Sequence, residues 1–258
     1  MEPEDQNHLN LSPSASPTPH PRRAICPNCT RPNPVCLCHT LPTHPIPTQT
    51  QIIILHHPHE AQHKLSTTPI LTKTLSNATT IVSRRLRPGL SPLLDQSPPS
   101  IYLFPQTQFS PALNLARIKE PNSPLSKHPP SVLIVFDATW KHAREMVKAS
   151  EGFLSGFATR VCLDTDERVE GGSIYNSELV LRKEPFGGCV TTMEAVARAL
   201  GVIEPNGLEI EEKMIGVLRE MVRLQAGFLR NVKPRPKLLK KGKSKEETQE
   251  SNCTSSEN

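Results

Sequence analysis

A single carboxylate, Asp137, stands where an apolar run of the sequence gives way to a helical pattern. Residues 131–136 are almost all apolar or β-branched without alternation, which predicts a strand buried on both faces. From Trp140 onward the apolar residues follow the period of a helix, and Thr139 is placed to cap it. Ligands bind at the carboxyl ends of strands in open α/β sheets, so Asp137 and Trp140 predict a site there. The plainer interpretation is that Asp137 caps the helix and Trp140 fills the core.

Four cysteines near the N-terminus have the spacing of a metal site. Cys26 and Cys29 form a C-x2-C pair, Cys36 and Cys38 form a C-x-C pair, and a segment rich in Pro and Asn separates them. Two such pairs can place four thiolates around Zn²⁺ in a closed site that holds structure, and His39 beside Cys38 is a weaker candidate ligand. A reducing compartment disfavours disulfides, which leaves free thiols or a redox pair as the alternatives.

Histidines and a glutamate cluster directly after a second predicted strand at residues 50–56. His57, Pro58, His59 and Glu60 follow that strand without a break. This composition suggests a metal site, but Pro58 forces an extended turn and the spacing is not that of a helical zinc protease motif. We therefore expect a loop that shapes a pocket.

A third informative stretch lies at residues 182–205. Gly187 and Gly188 allow close approach of the backbone, and Thr191 or Thr192 can cap the helix that follows. Glu194 falls in its first turn, where negative charge is favourable. A loop of this kind can hold a small ligand through its backbone amides, although the signal is weak on its own.

The remaining patterns predict the elements that position these groups. An α/β domain is expected, with Pro-rich loops at 91–100 and 106–130. Arg84 and Arg85 leave one predicted strand in a basic cluster, which suits phosphate contact or a solvated loop. Further strands are predicted at 79–85, 101–104, 160–163 and 178–182, and further helices from Thr68 or Pro69 and at 208–232.

The length and composition of the chain predict one folded domain with extended ends. The chain has 258 residues, 36% apolar content, 27 prolines and a net charge of +5, which permits a polyanionic partner without requiring one. There is no apolar run long enough for a membrane span, and no secretory or transit pattern at the start, so a cytoplasmic or nuclear location is expected. The predicted organisation is a disordered segment at 1–24, a zinc segment at 25–45, the main domain at 46–232 and a basic disordered tail at 233–258.

Four motifs in this order resemble the DTW-domain family, and especially its tRNA-uridine aminocarboxypropyltransferases, over roughly residues 24–232. They are the cysteine pairs, the HPHE stretch, DATW and TTMEAVARAL. DATW is similar to the family's D-x-T-W signature, with Ala138 where Gly is commoner, and His57 to Glu60 to its H-P-x-E motif. TMEA at 192–195 is similar to an S/T-x-E-A motif, with Met193 where Leu is usual. Residues 66–69, STTP, make the chain look like the eukaryotic branch.

The resemblance implies a SPOUT-like fold, with a mostly parallel sheet flanked by helices and a knotted C-terminal half. It also implies S-adenosylmethionine as the donor of a 3-amino-3-carboxypropyl group, with N3 of a tRNA uridine as the acceptor and methylthioadenosine as the product released. Asp137 would then be the base or hydrogen-bond acceptor for the N3 proton, since attack on the donor's carbon needs such a group held close.

Roles for the other motif residues follow from the same resemblance. The donor-binding candidates are Thr139, Trp140, Gly187, Gly188, Thr191, Thr192 and Glu194. The candidates for contact with tRNA are His57, Glu60, Arg84 and Arg85, together with the zinc segment and the basic tail, which is alternatively a nuclear-import signal. Two other functions stay open, an S-adenosylmethionine-dependent RNA methyltransferase of the same general fold and a zinc-containing tRNA-binding protein without catalytic activity.

Overall fold

The structure is a computed structural model, and it describes residues 24–61, 63, 65–107, 109–126, 129–163 and 190–228. Outside these residues lie almost all of the N-terminal segment predicted to be disordered, the strand predicted at 178–182, Gly187, Gly188 and the basic tail. Within the described part of the chain, there is no helix with the length and apolar character needed to cross a membrane.

A parallel sheet forms the centre of the domain, as the unalternating apolar runs predict. Its strands are β1 (Gln51–His56), β2 (Ala78–Val82), β3 (Ser100–Leu103), β4 (Leu113–Asn114), β5 (Val132–Asp137) and β6 (Ala158–Cys162). Among the described residues the strand order is β2-β1-β5-β3-β6-β4, and every pairing is parallel. His56 is opposite Asp137 in the register of β1 and β5, so the two predicted sites meet at one edge of the sheet.

Helices cover both faces of this sheet. They are α1 (Thr68–Thr74), α2 (Pro92–Asp95), α3 (Trp140–Leu154), α4 (Thr192–Ile203) and α5 (Gly207–Ala226). The predicted caps are confirmed, because Thr139 accepts the backbone N–H of His142 and Thr191 accepts that of Glu194. Thr139, and not Asp137, therefore caps α3.

The alternation of side chains along each buried strand divides the core into two layers. Ile52 and Ile54 of β1 pack in the layer that contains α1, α4 and α5, whereas Ile53 and Leu55 pack in the layer that contains α3. Leu37, between two of the cysteines, is fully buried in the first layer. The cysteine segment is thus built into the main core.

Two short elements occur in segments that the sequence predicts to be irregular. Helix α2 lies within the predicted loop at 91–100, where Ser91 accepts the backbone N–H of Leu94 and Leu94 is buried. Strand β4 lies in the Pro-rich stretch after β3 and pairs with β6. Both predictions of an uninterrupted loop are therefore wrong, because one local cap and one tertiary pairing organise chain that has no periodicity of its own.

Some boundaries also differ from prediction. Strand β2 ends at Val82, before the expected end at residue 85, so Arg84 and Arg85 belong to the following loop. This loop is fixed where Leu86 donates its backbone N–H to Ser150 of α3 at 2.9 Å. Helix α5 ends at Ala226 and not at residue 232.

A buried carboxylate connects the end of α4 with the chain that enters β1. Glu204 is only 3% exposed, and its two oxygens accept the backbone N–H groups of Gln49 and Thr50, each at 2.9 Å. Hydrogen bonds to a charged acceptor are stronger than neutral ones. They hold the chain that enters β1 against the end of α4, although about 150 residues separate the two in the sequence.

Helices α4 and α5 approach each other closely where the chain turns between them. A Cβ atom added to Gly207 would lie 2.2 Å from the carbonyl oxygen of Gly201 and 2.6 Å from that of Leu200. Backbone atoms cannot give way as a flexible side chain can. Gly207 is therefore required by the packing of the two helices, whereas Gly216 further along α5 has open space around it.

Replacing each of these glycines by alanine should give effects of opposite sign. Gly207→Ala should destabilise the domain by about 1–3 kcal/mol, because the new methyl group overlaps backbone. Gly216→Ala should stabilise it by about 0.5–1 kcal/mol through helix propensity. Chemical denaturation of the two variants measures both values, and equal stabilities would contradict the close approach of α4 and α5.

Candidate active site

Asp137 ends β5 with its carboxylate held by side chains from two helices. Thr192 of α4 donates its hydroxyl to Oδ1 at 2.6 Å, and Thr68 of α1 donates its hydroxyl to Oδ2. Nδ1 of His56, the last residue of β1, lies 3.5 Å from Oδ2. A carboxylate has about four acceptor positions, so these contacts leave capacity for another donor. Asp137 is thus both a junction of four elements and a group that can still accept a further hydrogen bond.

An apolar cavity of about 220 Å³ opens beside Asp137, between the carboxyl ends of β3, β5 and β6 and the first turns of α3 and α4. Trp140 and Thr192, two of the residues predicted to bind the donor, are among its lining residues. The ring of Phe104 lies 6.1 Å from that of Trp140, centroid to centroid. Leu163 and Val190, which flank the residues 164–189 outside the described part, also line the cavity.

Arg160 of β6 supports one wall of this cavity, a role that no motif in the sequence indicates. Its guanidinium lies 5.1 Å from the centroid of the Phe104 ring and donates a hydrogen bond to the carbonyl oxygen of Pro105 at 2.5 Å. Glu151 of α3 accepts from the same side chain at 3.5 Å. Because Arg160 is only 8% exposed, these contacts fix the strand end that forms the wall.

Three imidazoles meet on the other side of Asp137, at the end of β1. The rings of His57 and His142 are stacked with centroids 4.2 Å apart, and the ring of His59 packs edge-on against that of His57 at 4.9 Å. Burial lowers the pKa of His57, and His142, His59 and Arg84 lower it further, whereas Glu60 opposes them. His57 is therefore neutral at pH 7. The sequence gives no local signal for His142, which comes from α3.

The four predicted metal ligands are brought together. Sγ of Cys26 lies 3.4 Å from Sγ of Cys38, and Sγ of Cys29 lies 3.6 Å from Sγ of Cys36. Tetrahedral coordination at a Zn–S distance of about 2.3 Å places sulfurs about 3.8 Å apart. These separations are close to that value and far beyond the length of a disulfide. The cluster therefore fits Zn²⁺, and free thiols packed so closely would be difficult to ionise together.

The thiols of this cluster are electrostatically unequal. The backbone N–H groups of Cys29 and Asn28 and then the thiol of Cys38 lower the pKa of Cys26 to about 6. The backbone N–H of Cys38 acts to lower the pKa of Cys36, but the neighbouring thiols together raise it to about 12. The Cys26 thiolate therefore forms readily, and the Cys36 thiol beside it resists ionisation. A divalent cation bound between the sulfurs would offset the repulsion between neighbouring thiolates.

The other predicted site residues are divided between these regions. Thr139 and Thr191 cap helices at the border of the cavity, and neither lines it. Glu194 is completely buried and accepts two hydrogen bonds from Arg198, one turn later in α4. Glu60 is nearly buried beside His57, whereas Arg84 and Arg85 are exposed in the loop after β2. Gly187 and Gly188 lie outside the described residues.

The fold and the site define an α/β ligand-binding domain with a carboxylate at the carboxyl end of a central strand, an arrangement common to many enzymes. Residues 23–226 match the model of the DTW domain. The chain belongs to the DTW-domain family, as its motifs predict.

Three relatives carry closely related names. The chain is 61% identical over 233 residues to tRNA-uridine aminocarboxypropyltransferase A of Arabidopsis thaliana. The aligned region covers 86% of this chain and 88% of that protein. It is 30% identical over 213 residues to tRNA-uridine aminocarboxypropyltransferase 2 of Macaca fascicularis, and this region covers 80% of this chain and 65% of that protein. It is 27% identical over 229 residues to the Drosophila melanogaster protein of that name, with 86% and 82% covered. No solved structure matches the chain.

Proposed function

We propose that this protein is a tRNA-uridine aminocarboxypropyltransferase, which transfers the 3-amino-3-carboxypropyl group of S-adenosylmethionine to N3 of a uridine. The observation that carries the proposal is the 61% identity to a relative of that name, because it extends over 86% of this chain. The apolar cavity beside a partly exposed carboxylate supports it independently. Transfer at N3 needs a donor pocket and a proton acceptor next to each other.

The cavity suits the adenosine part of the donor. Trp140 and Phe104 offer aromatic faces on which a purine ring can stack, and the Arg160 guanidinium holds Phe104 in place. We assign Thr139, Thr191, Thr192 and Glu194 to the support of this pocket, because they fix the first turns of α3 and α4. Gly187 and Gly188 keep their proposed role in donor binding.

Asp137 is the proposed proton acceptor. The imide proton on N3 of uridine is weakly acidic, so a carboxylate held within hydrogen-bond distance can take it as the nitrogen attacks the donor carbon. The hydroxyls of Thr68 and Thr192 restrict the rotation of this carboxylate, which keeps its remaining acceptor positions oriented. His57 and Glu60 lie on the side of Asp137 away from the cavity, where we place the nucleobase.

Exposed basic residues near this side suit the tRNA backbone. Arg84 and Arg85 follow β2, and Lys141, Arg144 and Lys148 lie on the exposed face of α3. Phosphate contacts of this kind position a nucleic acid without reading its sequence. The tail beyond residue 233 keeps its two proposed roles, contact with tRNA or nuclear import, and a cytoplasmic or nuclear location is proposed with it.

Two structural expectations remain proposals. We propose Zn²⁺ at the four cysteines because their sulfur separations fit tetrahedral coordination. We also propose the SPOUT-like, knotted arrangement of the C-terminal half. The parallel sheet with its ligand cavity at the carboxyl ends supports it, and residues 164–189 of that half lie outside the described part.

Two donors labelled in different groups separate this function from its rivals. With S-adenosylmethionine labelled in the carboxyl carbon, we expect label in tRNA and release of methylthioadenosine, since the aminocarboxypropyl group carries that carbon. With the methyl group labelled, tRNA should stay unlabelled. The reverse pattern would establish a methyltransferase, and tRNA binding without transfer of either label would establish a binding protein.

Replacing Asp137 by asparagine should abolish most of the transfer. Loss of a general base lowers rates by about 10²–10⁴-fold, whereas the amide keeps one oxygen for the threonine hydroxyls. Donor affinity, measured by calorimetry, should change little. Asp95→Asn is the matched control because it changes the same group away from the cavity, and its side-chain oxygen can still accept the N–H of Gly89. An unchanged rate for Asp137→Asn would remove this residue from the mechanism.

Loss of Zn²⁺ from the cysteines should loosen the domain as a whole, since Leu37 between them is part of the core. Cys36→Ser should contain one equivalent of zinc less than the wild type and should melt roughly 4–8 °C lower if about 2 kcal/mol is lost. Cys253→Ser, far from the cluster in sequence, serves as the control. Full zinc content in Cys36→Ser would contradict the assignment.

A further inference from the structure

The three imidazoles beside Asp137 form a cluster to which the proposed transfer reaction assigns no chemical step. His57 and His59 follow β1, and His142 reaches them from the first turn of α3. One nitrogen from each of the three rings can be chosen so that all lie within 4.8 Å of one another. The sequence favours a pocket-shaping loop over a metal site here, because His57, His59 and Glu60 lack the spacing of a helical motif and Pro58 forces an extended turn. His142 supplies the ligand that the local sequence lacks.

We propose that His57, His59 and His142 bind a divalent transition-metal ion, with Zn²⁺ as the probe, at a site separate from the four cysteines. Imidazole suits zinc and its neighbours in the first transition row. Three protein ligands leave one tetrahedral position for water or an oxygen of an incoming molecule, whereas a four-cysteine site is closed.

A neighbouring contact favours ligation by one of these rings, and the contact of a second ring has to be replaced. Nδ1 of His142 lies 3.1 Å from the hydroxyl of Thr139, which is the kind of partner that orients a ligating histidine and leaves Nε2 for the metal. Nδ1 of His57 accepts the backbone N–H of His59 at 3.3 Å, a long contact. Metal binding through Nε2 replaces this contact and turns the His57 ring out of its stack with His142, since parallel rings cannot both point at one ion.

The surrounding charges act in both directions on a cation, and the opposing ones are more numerous. Arg84 and the neighbouring imidazoles oppose a cation at His57, and Glu60 favours one. His59 is exposed and His142 partly exposed, so an ion can enter from solvent.

The proposed metal site lies next to the Asp137 carboxylate. Its three ligands are not the side chains that hold this carboxylate, which are Thr68, Thr192 and His56. The backbone N–H of His57 donates to the carbonyl oxygen of Asp137 at 3.0 Å. The cavity is lined by residues at the ends of β3, β5 and β6 and in the first turns of α3 and α4, and none of the three imidazoles is among them. His57 and His59 follow β1, on the other side of β5 from β3. A bound ion would therefore face an incoming phosphate or base rather than the donor pocket. The binding itself does not depend on the proposed transfer activity.

Zinc content tests the proposal with the full chain. After saturation with Zn²⁺ and dialysis, we expect two equivalents in the wild type and one in His142→Ala and in His59→Ala. His44→Ala, which changes an exposed histidine outside the cluster, should keep two. Cys36→Ser should lose only the cysteine-bound equivalent, so the two sites are distinguished in one series.

Cobalt substitution identifies the ligands of each equivalent. Co²⁺ at the cysteines should give strong thiolate charge-transfer bands, and Co²⁺ at the histidines only weaker visible bands, which His142→Ala should remove. Titration of the second equivalent should show affinity weakened more than about tenfold in that variant. Retention of the thiolate bands in His142→Ala shows that the variant is folded. One equivalent of zinc in the saturated wild type, or an unchanged second equivalent in His142→Ala, would overturn the proposal.

Discussion

The hydrogen-bonded carboxylate of Asp137 is the constraint on which the arrangement of this domain depends. It ends the central strand β5 and accepts hydroxyl groups from the first residues of α1 and α4. Two helices that lie more than a hundred residues apart in the chain therefore start at the same point. A largely buried carboxylate without these partners would be costly, so the site and the helix positions stabilise each other.

This junction also separates two environments. On the side of β3 and β6 the cavity is apolar and aromatic, with Trp140 and Phe104 in its walls. On the side of β1 the surroundings are imidazoles, a nearly buried Glu60 and exposed arginines. Reactants of different character can therefore approach one carboxylate from opposite sides, and neither has to cross the other's binding surface.

Local signals in the sequence predicted much of this arrangement. The unalternating runs predicted the buried strands, and the caps Thr139 and Thr191 were placed correctly because capping depends on a few neighbouring residues. The predicted position of Asp137 at the end of a strand is confirmed. Long-range partners could not be predicted. Thr68 and His142 meet the site only through tertiary packing, and Arg160 carries no motif at all.

Burial was harder to predict than position. Glu194 was expected in the first turn of α4 as a favourable charge near the helix terminus, and it is there. It is also completely buried against Arg198, which a helical pattern cannot reveal because the pattern contains nothing about the packed neighbours. The short elements α2 and β4 were missed for the same reason.

The pairing of β1 with β5 has a consequence for biosynthesis. The two strands are adjacent in the sheet, but roughly 75 residues of chain separate them. At a translation rate of about 5–20 residues per second, β1 leaves the ribosome several seconds before its central partner exists. During that interval one edge of a very apolar strand is open, with β2 as its only early neighbour. Until residue 137 has emerged, this edge of the nascent chain is exposed to association with other chains.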